Sequence, residues 1–252
     1  MSEPIVVNSK NEVFDKGESF LKDRLDLRGV DIAKEWRLLL NWNEIDQGVQ
    51  KCADVINKKF EGKEIIVVCV LKGGVYFFVD LVRKLKIPYS TDFLKVKSYG
   101  NEKTQQESIE LLSPIDPEMY RDKHMIIVDE IYDSGKTLTQ LKLILNKKTG
   151  IPLENFFTCT LLKKDRPDII DGKSRLDLPK GDITTFPDLY AYLVPNYWLT
   201  GYGLDDKQEK GGWTCIFARN CGPAKEISMF NNNKEYDKVR KIVLGSLYEK
   251  ND

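Results

Sequence analysis

The chain has 252 residues, of which 41% are hydrophobic and 31% charged, the mix of a soluble globular protein with a substantial core. Lysine plus arginine and aspartate plus glutamate each total 39, so there is no global basic field to hold nucleic acid or an anionic membrane. Five cysteines without a close pair, and a single histidine, His124, argue against a Cys/His zinc site and for a reduced, cytoplasmic protein.

In chain order, the start "MSEPIVVNSKNE" lacks the basic and apolar regions of a signal peptide. "DQGVQKCADVINKKF" (46–60) carries apolar residues at helical spacing. "EIIVVCVL" (64–71) is the β-branched run of a strand buried on both faces, and it is too short to cross a bilayer. Lys72, Gly73 and Gly74 break it, and "VYFFVDLVRKL" (75–85) follows as an amphipathic helix. "TDFLKVKSY" (91–99) predicts a second strand. The polar stretch at 98–117 reads as a mobile lid or a protruding hairpin. "HMIIVDE" (124–130) predicts a third strand, "GKTLTQLKLILNKK" (135–148) a helix and "FFTCTLLK" (156–163) a fourth strand.

Residues 165–187 form an irregular polar excursion. The Trp/Tyr-rich 189–217 reads as part of a second lobe, joined by the amino-terminal residues, and the last twenty or so residues predict a terminal helix. This alternation is an α/β chain with a largely parallel sheet flanked by helices. In such sheets ligands sit beyond the carboxyl ends of strands, where the turns at 71–74 and 129–137 fall.

The second turn lies in "MIIVDEIYDSGKTLTQL" (125–141). It ends like a triphosphate loop, but Glu130 stands where GxxxxGK[ST] requires its first glycine, and its acids would repel polyphosphate. Ser134, Gly135 and Thr137 at a helix amino terminus suit a monophosphate. Asp129 and Glu130 suit the vicinal hydroxyls of a sugar, and Asp133 suits a proton or a metal-bound water. A ribose 5-phosphate has those features. The alternative is that Asp133 or Ser134 simply caps the helix.

"IIVDEIYDSGKTL" resembles the phosphoribosyl pyrophosphate motif of type I phosphoribosyltransferases. "VVCVLKGGVYFFVDLVRKL" (67–85), "FLKVKSYGN" (93–101), "TLLKK" (160–164) and "YWLTGYGLDD" (197–206) resemble further segments of the hypoxanthine-guanine branch, most like divergent protozoan guanine phosphoribosyltransferases. The resemblance implies the type I phosphoribosyltransferase fold, with a smaller hood lobe beside the parallel sheet. Its divisions are 1–40 for the amino-terminal part of the hood, 41–170 for the core, 171–225 for the hood and purine segment, and 226–252 for a helical extension.

The reaction implied is purine salvage: GMP or IMP plus pyrophosphate from a 6-oxopurine and 5-phosphoribosyl 1-pyrophosphate, with Mg2+. The alternatives are a xanthine-preferring enzyme and a non-catalytic regulator that binds the same sugar phosphate. The resemblance makes Asp133 the catalytic acid or base near purine N7. It places ribose 5-phosphate on Asp129, Glu130, Asp133, Ser134, Gly135, Lys136 and Thr137. Leu71, Lys72 and Gly73 form the pyrophosphate loop, whose Leu71–Lys72 peptide can be cis, and Ser98 and Tyr99 belong to the lid. Lys164, Trp198, Leu199 and Asp205 take the purine, with Lys163 one residue from exchanging with Lys164. Glu130 and Asp205 hold the metal, with Asp206 a weaker candidate. Gly211 falls where relatives carry a pyrophosphate-gripping arginine, so either Lys210 substitutes for it or pyrophosphate is held less tightly. Relatives of this kind form homodimers or homotetramers.

Overall fold

In the computed structural model, which describes residues 36–100, 107–164, 169–170, 173–174, 187–194, 196–205 and 210–219, the apolar run at 65–71 is an inner strand. The first half of the chain runs β1 (Trp36–Leu40), α1 (Trp42–Lys59), β2 (Ile65–Leu71), α2 (Val75–Val82), β3 (Tyr89–Gly100) and β4 (Glu107–Leu111). It continues with α3 (Pro117–Tyr120), β5 (His124–Tyr132), α4 (Lys136–Thr149), β6 (Phe156–Lys164), β7 (Ile169–Ile170) and β8 (Lys173–Ser174). The last elements are β9 (Leu189–Val194), β10 (Leu199–Thr200) and β11 (Ile216–Arg219). The terminal helix expected at 226–252 and most of the 165–187 excursion lie outside the described residues. The chain divides into a unit spanning 48–196 and a second made from its two ends.

The 48–196 unit is built on a six-stranded sheet in the order β4-β3-β2-β5-β6-β9, parallel throughout except for the β3–β4 hairpin. That hairpin occupies the stretch read as a lid or a protruding hairpin, with Val96 opposite Leu111 and Gly100 opposite Glu107. One sheet face presents Ile66, Val68, Val70, Met125 and Ile127 to Leu138, Leu141 and Leu145 of α4 and Tyr120 of α3. Burying each leucine stabilises by about 1.5–3 kcal/mol. Intrinsic helix propensity contributes only a few tenths per residue, so packing decides where α4 lies. The next residues along each strand point to the opposite face. There Phe60 meets Phe157 edge-on at 5.3 Å, and the Cys52 and Cys159 thiols adjoin.

One expectation is corrected. Leu189–Val194, read as part of the second lobe, pairs in parallel with β6 and closes this sheet. Tyr192 is fully buried, and a Cβ on Gly48 of α1 would lie 2.5 Å from its Cε2, so this ring of β9 packs the core while Tyr190 is exposed. No helix connection announces this strand in the sequence, because it follows the 165–187 excursion.

The second unit pairs β1 with β11 and β11 with β10, all antiparallel. Trp36, Leu38, Cys215 and Phe217 form its core, with Trp213 packed edge-on against both Trp36 and Phe217. At the start of α1, Asn41 Oδ1 accepts from the Glu44 amide (3.0 Å) and Glu44 Oε2 accepts from the Asn41 amide (2.7 Å). This reciprocal box satisfies two helix-end donors.

His124 opens β5 with its ring against Phe60, and burial, then Lys63 and Lys59, hold its pKa below the usual 6.5. The folded state therefore disfavours the imidazolium. The stability His124 contributes is complete above its unfolded pKa and is lost as pH falls through the folded value. Urea midpoints should fall from pH 8 towards pH 5.5, and His124→Gln should flatten that part of the profile. An unchanged slope in the variant would assign the dependence to other groups.

Candidate active site

Strand order reverses beside β2: the chain passes from β2 outward to β3, then returns to place β5 on the other side of β2. Such a switch point opens a crevice at the carboxyl ends of the two strands. Cys69 pairs with Val128, so the turn after β2 and the acids near the end of β5 emerge side by side. The Leu71–Lys72 peptide is cis, and Lys72 is exposed. Gly73 lies directly against Glu130, where a Cβ would overlap the carboxylate. Gly74 lies against backbone, where a Cβ would come within 2.8 Å of the Val70 carbonyl oxygen and 3.2 Å of that of Val128.

Oε2 of Glu130 is buried without a hydrogen-bond partner among the described residues. Burial, then the neighbouring Glu130 charge, holds the Asp129 carboxyl well above the usual range. Asp129 also accepts from the Glu130 amide at 3.0 Å. The same burial, with the charges on Asp129 and Glu130, pushes the Cys69 thiol up to about 12, so that thiol is inert at neutral pH. A like charge beside a buried carboxyl disfavours ionisation, and a nearby cation favours it.

The turn at 133–137 follows at once. Gly135 takes a left-handed conformation (φ 78°), and a side chain there would collide with the Tyr132 ring. Its carbonyl accepts from the Thr139 amide at 3.0 Å, and α4 begins at Lys136 without a side-chain cap on Gly135. Ser134 Oγ accepts only a long 3.5 Å bond from the Lys136 amide. Asp133 is engaged elsewhere: its Oδ2 accepts from Lys164 Nζ at 2.9 Å. That contact is an ion pair across the ends of β5 and β6. The register of those strands explains the pair, since Tyr132 lies opposite Lys163. Lys163 is buried with its ammonium 5.8 Å from the Tyr190 ring centroid, so the two neighbouring lysines occupy distinct surroundings.

Sequence reasoning passed over Thr160 and Tyr132. Thr160 lies opposite Asp129, and its buried hydroxyl has no hydrogen-bond partner among the described residues. The signal was the pair of threonines in the otherwise apolar "FFTCTLL". Tyr132, beneath Gly135, stood out only as a bulky aromatic in a tight turn.

Ser98 and Tyr99 lie on β3, opposite Ile109 and Ser108, and residues 101–106 lie outside the described residues. On the second unit Trp198 is 56% exposed, so it is not a core tryptophan, and its carbonyl accepts from the Arg219 amide at 2.8 Å. Leu199 is buried and pairs with Ala218. The turn at 201–205 is tied to 211–213 by Gly203 N to Gly211 O (2.8 Å) and Tyr202 N to Trp213 O (2.7 Å). Asp205 is exposed, and Asp206 lies outside the described residues. Lys210 Nζ lies 5.8 Å from the Trp36 ring centroid, a cation–π contact within its own unit. Among the described residues, the nearest atom to a Cβ on Gly211 would be the Gly203 carbonyl oxygen at 3.4 Å.

The acidic turn after β5, the glycine loop after β2 and the reversed strand order are the frame of a phosphoribosyltransferase. The phosphoribosyl transferase domain family matches residues 35–164, just over half the chain, and the chain belongs to that family. Within it, the hypoxanthine-guanine branch is the one it is similar to. The hypoxanthine phosphoribosyltransferase of Buchnera aphidicola is 28% identical over 174 residues, 68% of this chain and 89% of that protein. The hypoxanthine-guanine-xanthine phosphoribosyltransferase of Tritrichomonas foetus is 28% identical over 172 residues, 67% of this chain and 83% of that protein. The solved hypoxanthine-guanine phosphoribosyltransferase of Bacillus anthracis is 28% identical with a TM-score of 0.58, covering 73% of this chain and 99% of that one.

Proposed function

We propose that this chain is a purine salvage enzyme that joins a 6-oxopurine to the ribose of 5-phosphoribosyl 1-pyrophosphate, forming GMP or IMP. The C1–N9 bond forms, the C1–oxygen bond to pyrophosphate breaks, and the proton lost by the base must be handled. The observation that carries the reading is the Asp133–Lys164 pair beside the phosphate turn. Lys164 supplies a charged donor suited to a 6-oxo group, and adenine presents a donor of its own at that position. Asp133 supplies an acceptor for the purine proton. The turn at 134–137 takes the 5-phosphate through its amides and hydroxyls, and Asp129 and Glu130 take the ribose hydroxyls. The exposed Trp198 ring offers a stacking surface for the base.

The donor set suits Mg2+, a hard cation that uses one or two carboxylates together with substrate phosphates. The buried Oε2 of Glu130, without a hydrogen-bond partner among the described residues, fits that role. When bound, Mg2+ would neutralise charge on the departing pyrophosphate. Among the described residues no helix is long and apolar enough to cross a membrane. A cytoplasmic location and a homodimeric or homotetrameric state belong to the same proposal.

The test is pyrophosphate release from 5-phosphoribosyl 1-pyrophosphate and Mg2+ with guanine, hypoxanthine, xanthine or adenine. Release is expected with guanine or hypoxanthine and not with adenine. A response to xanthine alone would select the xanthine-preferring reading. Binding of 5-phosphoribosyl 1-pyrophosphate without turnover of any base would select the regulator.

A further inference from the structure

β4 is an edge strand of the six-stranded sheet, and edge strands present outward amides that the sheet cannot satisfy. The Leu112 amide, just past β4, donates inward to the Lys95 carbonyl at 2.8 Å. The Ile109 amide points the other way and donates to Oε1 of Gln140 at 2.9 Å. Ile109 is the residue opposite Ser98 in the β3–β4 register, with Tyr99 next along the strand. Gln140 stands on α4 one helical turn from Lys136, where the phosphate turn feeds into the helix. A single side chain thus ties the helix that rises from the phosphate turn to the strand that backs Ser98 and Tyr99.

Apolar packing also joins these elements, since Ile109 and Leu111 lie against the cluster containing Leu138, Leu141 and Leu145. Apolar burial is non-directional and tolerates sliding along the strand axis. A hydrogen bond at 2.9 Å does not. We infer that Gln140 is a positioning residue, whose Oε1 sets where the Ser98–Tyr99 arm stands relative to the phosphate turn. This role rests on the proposed transferase reaction. The sequence carried no sign of it, because Gln140 reads as an ordinary polar residue on an amphipathic helix.

Gln140→Leu keeps the side chain's approximate bulk and removes the acceptor, whereas Gln140→Glu keeps an acceptor oxygen. In the ligand-free full chain, Gln140→Leu should speed Ile109 amide exchange by about tenfold, and Gln140→Glu should leave it near wild type. With 5-phosphoribosyl 1-pyrophosphate, Mg2+ and the base the wild type uses best, Gln140→Leu should lower kcat roughly five- to tenfold. Its KM should change by less than its kcat, and Gln140→Glu should restore turnover. Equal losses in both variants would overturn the proposal in favour of plain packing. Faster exchange with unchanged kcat would overturn the positioning role. A wild type that turns over no base overturns the transferase reading and this role together, and the exchange result then reports only the contact.

Discussion

Replacing Asp133 by Asn is expected to lower kcat by roughly 10²- to 10⁴-fold, the range for losing a positioned acid or base. Affinity for 5-phosphoribosyl 1-pyrophosphate should change far less. Asparagine keeps the size of the side chain and one carbonyl acceptor, so the turn at 134–137 can keep its shape. What disappears is the negative charge facing Lys164 and the capacity to take a proton. Lys164 is 11% exposed and Asp133 44%, so the lysine has the poorer access to compensating water once the pair is broken. Lys164 can then swing or draw in solvent, which would loosen selection for a 6-oxo group. The measurements are kcat with guanine and hypoxanthine, and calorimetric binding of 5-phosphoribosyl 1-pyrophosphate with Mg2+. Equal losses in binding and turnover would make Asp133 a structural residue and sink its catalytic assignment.

The second large effect belongs to Gly73. Gly73→Ala should cost about 100-fold in kcat/KM for 5-phosphoribosyl 1-pyrophosphate, the scale on which a displacement of about 1 Å acts in an active site. Its Tm should scarcely move. The atoms nearest the new methyl belong to the tip of a flexible side chain, and the Glu130 carboxylate can swing aside at little cost to the fold. The displaced group is, however, the one assigned to ribose and metal. Shortening it should relieve the conflict, so Gly73→Ala with Glu130→Asp should recover part of the loss. Gly74→Ala is the contrasting control, because its methyl would meet backbone oxygens at 2.8 and 3.2 Å and should lower Tm. If the double substitution is no better than Gly73→Ala alone, the overlap with Glu130 is not the cause.

Most of the sheet was legible because its strands are local statements. A continuous run such as 65–71 can satisfy its side chains only inside a covered sheet, and the leucines of 138–145 fit only a helix with one buried face. The turn at 133–137 was legible for the same reason, since its conformation is set by a few consecutive residues. Strand β9 was not, because its place depends on pairing with β6 across an excursion of more than twenty residues. Which of Lys163 and Lys164 pairs with Asp133 was also out of reach. The pairing is made by the β5–β6 register, which puts Tyr132 opposite Lys163 and brings Asp133 to Lys164.

By itself, then, the amino-acid order determined the inner strands, the helix after the phosphate turn, and which residues there are acidic, small or hydroxylic. Periodicity and local conformation are properties of neighbours in the chain, so they can be read without the fold. Tertiary structure alone decided that Gly73 lies against Glu130 and that Asp133 pairs with Lys164. It also decided that Gln140 meets the amide of Ile109, thirty-one residues earlier. Each of these is a contact between distant segments whose distance is fixed by strand order and register, and no run of neighbouring residues carries that information.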